Sequence, residues 1–196
     1  MNRIRSRLTA LSFAAALASV GAGTSQAADV LDEGDQASRS HNVALAANGA
    51  VAAATSTGIG DGPPSSASNL IDDTRSGANS YWTDDTVDEF PDVVQINFSG
   101  AKTIDRVVVY SVQDNYYDGV DPTDTDSCYV YGLVDFSVQA WSGSNWVTIG
   151  DVTDNLLCKR TVTFPPLTTE SIRITVTVTG GWSWTRIAEV EAWEAQ

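Results

Sequence analysis

Hydrophobic and polar residues alternate along most of the chain after its first forty residues, which is the pattern of half-buried β-strands. The clearest runs lie at 94–98 and 172–178, where Val, Ile or Phe occupies every second position. Further runs lie at 106–110, 135–141, 146–149, 159–164 and 187–193, separated by clusters of Gly, Pro, Asn, Asp and Ser. No run with helical spacing competes with them. The pattern predicts an all-β, antiparallel sandwich or barrel.

The connections between these runs differ in length and chemistry. Trp141 and Trp146 flank Ser-Gly-Ser-Asn, a composition that suits a four-residue hairpin turn. The connections at 57–81, 113–127 and 180–186 are longer or richer in polar and aromatic residues than a turn requires. Because function in a sandwich usually lies on such loops, these three are the candidate binding regions.

The first 27 residues have the order of a secretory signal peptide. Arg3, Arg5 and Arg7 precede an apolar run at 8–20, and Ser-Gln-Ala at 25–27 is a small-x-small cleavage sequence. The apolar run is short for a membrane span, which disfavours the alternatives of an amphipathic anchor or an uncleaved membrane helix. We therefore predict that residues 1–27 are removed on export.

After this leader we expect a flexible lead-in at 28–40 and one domain at 41–196. No stretch in it approaches 18 consecutive apolar residues, so we expect a secreted or periplasmic protein without membrane insertion. The chain has 25 acidic and 11 basic residues and a net charge of −14, which falls to near −17 without the three leader arginines. This charge excludes nucleic acid as a natural partner and disfavours docking on anionic lipid.

Two cysteines, Cys128 and Cys158, are present. An even number of cysteines in an exported chain predicts a disulfide. In the chain-entropy model such a bridge stabilises by roughly 3 to 4 kcal/mol. The single histidine, His41, is far away in sequence, so the residues for a zinc site are lacking.

Six short motifs occur in an order that points to a known family. They are Asn-Leu-Ile-Asp-Asp at 69–73, Tyr-Trp at 81–82, Val-Gln-Ile-Asn-Phe at 94–98, Ile-Asp-Arg-Val-Val at 104–108, Trp-Ser-Gly-Ser-Asn-Trp at 141–146 and Ile-Ala-Glu-Val-Glu-Ala-Trp at 187–193. In this order they resemble a coagulation factor 5/8 type C, or discoidin-like, domain, and in particular the bacterial galactose-binding-like carbohydrate-binding modules. The resemblance covers about 42–194. It implies an eight-stranded antiparallel jelly-roll β-sandwich, in agreement with the strand pattern.

The resemblance also implies a structural calcium ion. Carried over to this chain, the ligands are the carbonyls of Asn69 and Ala188, the carboxylates of Asp72 and Glu189, and Ser80 through its hydroxyl or carbonyl. All of these are oxygen donors, which a hard cation prefers.

One part of this ligand set has alternatives. The segment from Asp72 to Trp82 is a few residues longer than is usual in the family, so Asp73 or Asn79 stands as an alternative to Ser80. A different interpretation is that Asp72 and Asp73 only order a polar turn through bonds from side chain to backbone.

Side chains suited to a sugar are concentrated on the long loops, because aromatic faces stack on a pyranose and amides or charges bond its hydroxyls. The candidates are Asp84, Gln113, Asn115, Tyr116, Tyr117, Trp182, Trp184 and Arg186. Trp182 and Trp184 are two residues apart, so in an extended segment both face the same side. The competing interpretation is that a tryptophan caps the sandwich and that Arg186 bonds buried carbonyls. The remaining tryptophans, Trp82, Trp141, Trp146 and Trp193, lie in or beside predicted strands, where we expect core or sheet-face packing.

The sequence departs from the pattern of galactose-binding relatives. Those relatives usually place a His soon after the tryptophan that Trp82 matches, and an Arg after the strand that ends at Tyr110. Here Thr-Asp-Asp at 83–85 and Val-Gln at 112–113 occupy these places. A preference for galactose therefore does not follow, and an acidic sugar is disfavoured by the charge.

We predict a non-catalytic, lectin-like module that binds a neutral glycan or polysaccharide and is stabilised by calcium. One alternative is an extracellular adhesion or structural protein that binds a protein partner, and a less favoured one is a small glycan-active enzyme. No carboxylate pair is singled out for glycoside hydrolysis, and the sequence has one histidine and no G-x-S-x-G motif.

Overall fold

The computed structural model describes residues 41–59 and 65–196. The predicted signal peptide at 1–27 and lead-in at 28–40 lie outside the described residues. The strands assigned within them are β1 (Val51–Ala54), β2 (Trp82–Thr83), β3 (Asp92–Ser111), β4 (Leu133–Trp141), β5 (Trp146–Val152), β6 (Lys159–Thr179) and β7 (Arg186–Glu194). Short 3₁₀ helices span Ala46–Asn48, Ala67–Ile71 and Tyr116–Asp118. Nowhere in the described part of the chain is a helix long and apolar enough to cross a membrane.

β3 and β6 are long because each contributes to both layers of a sandwich. The first half of β3 pairs with the second half of β6, from Asp92 opposite Val176 to Asn97 opposite Ser171. The register then shifts, and the rest of β3 pairs with the first half of β6. Gly100, at φ +81°, lies where β3 changes layer, in a conformation that favours glycine. The runs predicted at 94–98 and 106–110 are thus one strand, as are those at 159–164 and 172–178.

The strand halves form two antiparallel layers. The first layer contains β1, the first half of β3, the second half of β6, β4 and β5. The second layer contains β2, β7, the second half of β3 and the first half of β6. This is the predicted antiparallel jelly-roll β-sandwich, although the described residues hold seven continuous strands where the resemblance implied eight. Counted by layer, the described part of the sandwich has nine strand segments, because β3 and β6 each contribute one segment to both layers.

Apolar side chains from the two layers meet in one core. They include Val94, Ile96, Ile172 and Ile174 from the first layer and Val107, Ile187 and Val190 from the second, all at most 1% exposed. Burying a side chain of this kind contributes about 1.5 to 3 kcal/mol. A smaller cluster around Tyr81, Val108 and Tyr110 lies apart from this core.

Both ends of β3 lie at the same end of the sandwich. Thr185 Oγ1 donates to Asp92 Oδ2 at 2.5 Å, while Ser111 pairs with Ile187, two residues after Thr185. The backbone N–H of Leu133 donates to Ser111 Oγ at 3.1 Å, which brings the start of β4 to the same place. The loops at 84–91, 112–132 and 180–185 therefore converge here, and we call this the loop end.

The predicted hairpin and the predicted disulfide are both confirmed. Trp141 pairs with Trp146 across a turn of four residues at the end of β4 opposite the loop end. Cys128 and Cys158 are bonded, with an S–S distance of 1.96 Å, and both are buried. The bridge fastens the 112–132 loop to the start of β6.

Candidate functional site

Six aromatic rings and one arginine from four chain segments meet at the loop end, and we call this set the loop aromatic cluster. Its members are Tyr81, Tyr116, Tyr117, Tyr131, Trp182, Trp184 and Arg186. Contacting rings have centroids 4.4 to 6.2 Å apart at tilted or edge-on angles. Aromatic pairs prefer such angles, so the loops hold one another in place through their rings.

Arg186, at the start of β7, is only 6% exposed. Its guanidinium carbon lies 4.8 Å from the ring centroid of Tyr131, 5.4 Å from that of Trp182 and 5.9 Å from that of Tyr81. All three distances are within cation–π range. Its Nε has no hydrogen-bond partner among the described residues. Aromatic faces surround the guanidinium and its Nε is shielded from solvent, while Arg186 also lines a pocket beside Trp184.

Two rings of the cluster present a surface to solvent. Trp182 is 40% exposed and Tyr117 is 69% exposed. The indoles of Trp182 and Trp184 lie 5.8 Å apart, although their segment bends and does not run extended as the spacing argument assumed. A large exposed aromatic face beside a fixed cation is suited to stacking on a sugar ring.

A pocket of about 200 Å³ opens beside Trp184 and Arg186, with Asp84 and Asp85 in its lining. Asp84 is 1% exposed and is already bonded, since Oδ1 accepts from the N–H of Thr185 at 2.7 Å and Oδ2 from that of Thr86 at 2.8 Å. The structure therefore gives Asp84 a positioning role, joining two loops. Asp85 is exposed and supplies the carboxylate nearer solvent.

The predicted sugar contacts on the 113–118 segment also include one buried amide side chain and one exposed amide side chain. Gln113 is buried, and its Nε2 donates to the carbonyl of Val120 at 2.5 Å, so it shapes the loop. Asn115 is exposed, and its Nδ2 donates to Asp118 Oδ2 at 2.9 Å. Asn115 lies one residue from the tyrosines of the cluster and is the polar group of this loop available to a ligand.

Tyr131 was not among the predicted site residues, and Tyr81 was predicted only as part of a family motif. Tyr131 is held at the cluster because the carboxylate of Asp114 accepts backbone N–H bonds from Tyr129 and Val130, both at 2.9 Å, and from Tyr131 at 3.3 Å. The position of Tyr129–Tyr131 immediately after the bridged Cys128 was the available signal.

The residues expected to bind calcium lie together beside this cluster. The backbone N–H of Asp72 donates to Glu189 Oε2 at 3.1 Å, and Ser80 Oγ donates to Asp72 Oδ2. Glu189 is fully buried, and its Oε1 has no hydrogen-bond partner among the described residues. Burial and the negative charge of Asp72 raise the pKa of Glu189 to about 9. A buried carboxylate oxygen without a donor fits a cation ligand.

The two alternatives to Ser80 differ in their surroundings. Asp73 Oδ1 accepts from a terminal nitrogen of Arg75 at 2.6 Å, so this carboxylate is already paired. Asn79 is exposed. Within the described ranges no three His, Cys, Asp or Glu side chains cluster as metal ligands. A cation beside Asp72 and Glu189 would depend equally on carbonyl and hydroxyl oxygens.

A family model for the F5/8 type C, NedA-like galactose-binding domain matches residues 69–174, more than half of the chain. The chain belongs to this family. The matched region includes Asp72, Trp82 and Asn115 and ends before the segment that carries Trp182, Arg186 and Glu189. Among curated proteins, none matches the sequence significantly.

Solved structures support the sandwich fold at low sequence identity. The family 32 carbohydrate-binding module of Streptococcus pneumoniae EndoD is 17% identical with a TM-score of 0.60, covering 79% of this chain and 100% of that chain. The family 32 module of Clostridium perfringens NanJ, in complex with galactose, is 20% identical with a TM-score of 0.55, covering 80% and 100%. Chitosan-binding module 1 from a chitosanase/glucanase of Paenibacillus sp. IK-5 is 23% identical with a TM-score of 0.57, covering 78% and 98%. Some similar chains are parts of glycoside hydrolases.

Proposed function

We propose that this chain is an exported, non-catalytic carbohydrate-binding module that binds a neutral glycan at the loop aromatic cluster. The observation that carries the proposal is the guanidinium of Arg186, held among three aromatic rings where it lines a pocket, next to the exposed indole of Trp182. Hydrogen bonds to a charged group are stronger than those to a neutral one, so a ligand hydroxyl that accepts from this guanidinium at the pocket contributes to binding.

The cluster offers the two kinds of contact that a sugar needs. Trp182 and Tyr117 supply faces for the C–H side of a pyranose ring, while Arg186, Asn115 and Asp85 supply donors and acceptors for its hydroxyls. The adjoining pocket, at about 200 Å³, is small. These dimensions favour a terminal or branch-point sugar at this site.

Charge narrows the class of sugar. The chain carries 25 acidic against 11 basic residues, and Asp85 and Asp118 are exposed at the loop end. Repulsion disfavours uronic or sulfated sugars. A cationic amino sugar is the charged class that this surface tolerates, and a chitosan-binding module is among the structural relatives. A binding panel should therefore contain neutral, acidic and amino sugars.

We also infer that calcium binds between Asp72 and Glu189, with the carbonyls of Asn69 and Ala188 and an oxygen of Ser80. Glu189 Oε1 supports this inference, since no hydrogen-bond partner for it exists within 41–59 or 65–196. A cation there would offset the repulsion between the two carboxylates and stabilise the segment that leads to Tyr81.

A glycan array followed by calorimetric titration tests the proposed function. Trp182→Ala and Trp184→Ala should each weaken binding of the best array glycan by about 2 kcal/mol, or about thirtyfold. Val51→Ala, which truncates a 64% exposed side chain on β1, is the control and should leave the affinity unchanged.

Thermal melting of the same variants separates binding from folding. Midpoints within a few degrees of the unmodified protein are expected, since both tryptophans lie on a loop outside the core. An array without hits, or unchanged affinity in both tryptophan variants, would refute the proposal. A large fall in the midpoint would instead support the capping role for that indole.

A further inference from the structure

The outer face of the first layer carries a second group of aromatic and amide side chains, at the end of β4 away from the loop aromatic cluster. Along β4 the side chains of Phe136, Val138 and Ala140 are buried in the sandwich, so Gln139 and Trp141 point outward. Trp146 faces Trp141 across the hairpin, with ring centroids 5.4 Å apart. Sheet-face packing, as predicted for these tryptophans, leaves both rings half-buried on a surface.

Polar side chains on β3 and β6 continue this face. Gln95 Nε2 and Ser171 Oγ each donate to Asn97 Oδ1 at 2.8 Å. Arg173 Nε donates to Gln139 Oε1, and its guanidinium carbon lies 4.6 Å from the ring centroid of Trp146. These bonds hold the amide and hydroxyl groups in fixed orientations, which lowers the entropy that a ligand must overcome.

A groove of about 300 Å³ joins the tryptophan pair to the polar side chains on β3 and β6. It is lined by Gln95, Trp141, Trp146, Glu170 and Ser171. The strands follow the order β5, β4, β6, β3, so at about 4.8 Å between strands the face extends roughly 14 Å from Trp146 to Gln95. This length suits an oligosaccharide better than a single sugar.

The chemistry of this groove points to an uncharged ligand. Arg173 is bonded to Gln139 and stacked on an indole, and Glu170 is the single acid in the lining. The tryptophan pair alone would be explained by hairpin stability. It does not explain why ordered amide and hydroxyl groups continue the surface two strands further, to β3.

We propose that this groove, which we call the sheet-face groove, is a second binding site for a neutral oligosaccharide chain. It is separate from the loop aromatic cluster and does not depend on it. A module with both sites would hold one polysaccharide at two points or bridge two chains, which raises apparent affinity through effective concentration.

Indole Nε1–H resonances in a two-dimensional NMR spectrum test each site separately. The six tryptophans give one signal each, assigned by single substitutions, and the probes are galactose and two tetrasaccharides, one of β-linked glucose and one of β-linked N-acetylglucosamine. At least one tetrasaccharide should shift the Trp141 and Trp146 signals saturably. The buried Trp82 is the internal reference.

The possible outcomes separate the two proposals. Shifts of Trp182 and Trp184 alone would support the loop site and overturn the second site. Shifts of Trp141 and Trp146 alone would support the second site and show that it binds independently of the loop aromatic cluster. If neither tetrasaccharide shifts the Trp141 or Trp146 signal, the proposal of a binding site at the sheet-face groove is overturned.

Substitutions distinguish ligand contact from hairpin stability. Gln95→Ala, on β3 and away from the hairpin, should weaken tetrasaccharide binding at this groove about tenfold without changing the melting midpoint. Trp146→Phe, which keeps a ring on the hairpin, should weaken it several-fold. Val147→Ala removes a 49% exposed side chain beside Trp146 on the opposite face and should have no effect. Unchanged affinity in Gln95→Ala and Trp146→Phe would assign the pair to hairpin stability alone.

Discussion

Replacing Glu189 by glutamine tests whether a cation satisfies the buried carboxylate. Glu189 is fully buried, its Oε2 accepts from the Asp72 N–H, and its Oε1 has no partner among the described residues. Burial and the charge of Asp72 raise its pKa to about 9. Glutamine keeps the size and one oxygen acceptor but carries no charge at any pH. The variant therefore removes the cost of ionisation together with the attraction for calcium.

The magnitude follows from the shifted pKa. In the unfolded chain Glu189 loses its proton near pH 4.3, as a free glutamate does, whereas in the calcium-free fold it keeps the proton to about pH 9. The unfolded state therefore binds fewer protons between these values, and the free energy of unfolding falls by up to about 1.4 kcal/mol per pH unit. By pH 8 the accumulated loss approaches 5 kcal/mol, on the order of the whole stability margin of many domains.

Thermal melts in chelator and in excess calcium, from pH 5 to pH 8, measure this loss of stability with rising pH. In chelator, Glu189→Gln should be more stable than the unmodified protein, and the difference should grow with pH. Calcium at one hundred times its dissociation constant should add about 2.7 kcal/mol to the unmodified protein, raising its midpoint by about 5 to 10 °C. The variant should show almost no calcium shift, since it keeps only the Asp72 carboxylate of the two charged ligands.

Glu191→Gln is the matched control. Glu191 is also buried, but its carboxylate is paired with Arg75 Nε at 2.5 Å and accepts from Tyr110 and Trp193. Breaking this pair should destabilise by about 3 to 5 kcal/mol in both buffers and leave the calcium shift intact. Equal midpoints of the unmodified protein in calcium and chelator would refute the calcium inference. If Glu189→Gln is less stable than the unmodified protein in chelator at pH 8, the predicted cost of ionising the buried carboxylate is wrong.

Three further predictions concern the loops and the leader. Changing Cys128 and Cys158 to serine should lower the free energy of unfolding in urea by about 3 kcal/mol, and an unchanged midpoint would contradict this. Asp114→Ala releases the backbone N–H groups of 129–131 and should weaken glycan binding in calorimetry more than it lowers the melting midpoint; the reverse order would refute its positioning role. Peptide mass spectrometry of exported protein should find Ala28 at the N-terminus, whereas a retained leader would contradict the signal peptide.

Features that depend on near neighbours along the chain were predictable from the sequence alone. Alternation at 94–98 and 172–178 predicted the inward and outward faces of the strands, because side chains on a strand alternate with period two. The turn after Trp141 was predictable from its Gly and Asn content, and the disulfide from an even cysteine count in an exported chain. Each of these inferences needs only local pattern or composition.

Dependence on local pattern also explains why some predicted strand boundaries were wrong. Around Gly100 the residues become polar and the alternation is lost, so two strands were predicted where β3 continues through both layers. The long pairing with β6 maintains the strand through this bend, and that pairing joins residues far apart in sequence. β1, with its run of alanines, has too weak an alternation to be predicted.

Which candidate residues meet, and which of them are open to a ligand, depends on the folded arrangement of the loops. Composition placed Asp84 and Gln113 among the sugar contacts, yet both are buried and bonded within the protein. Tyr131 joins Arg186 because hydrogen bonds to Asp114 and a disulfide hold its loop there. The burial of a side chain and its hydrogen-bond partners depend on the packing of segments distant along the chain. The local sequence pattern therefore does not contain this information.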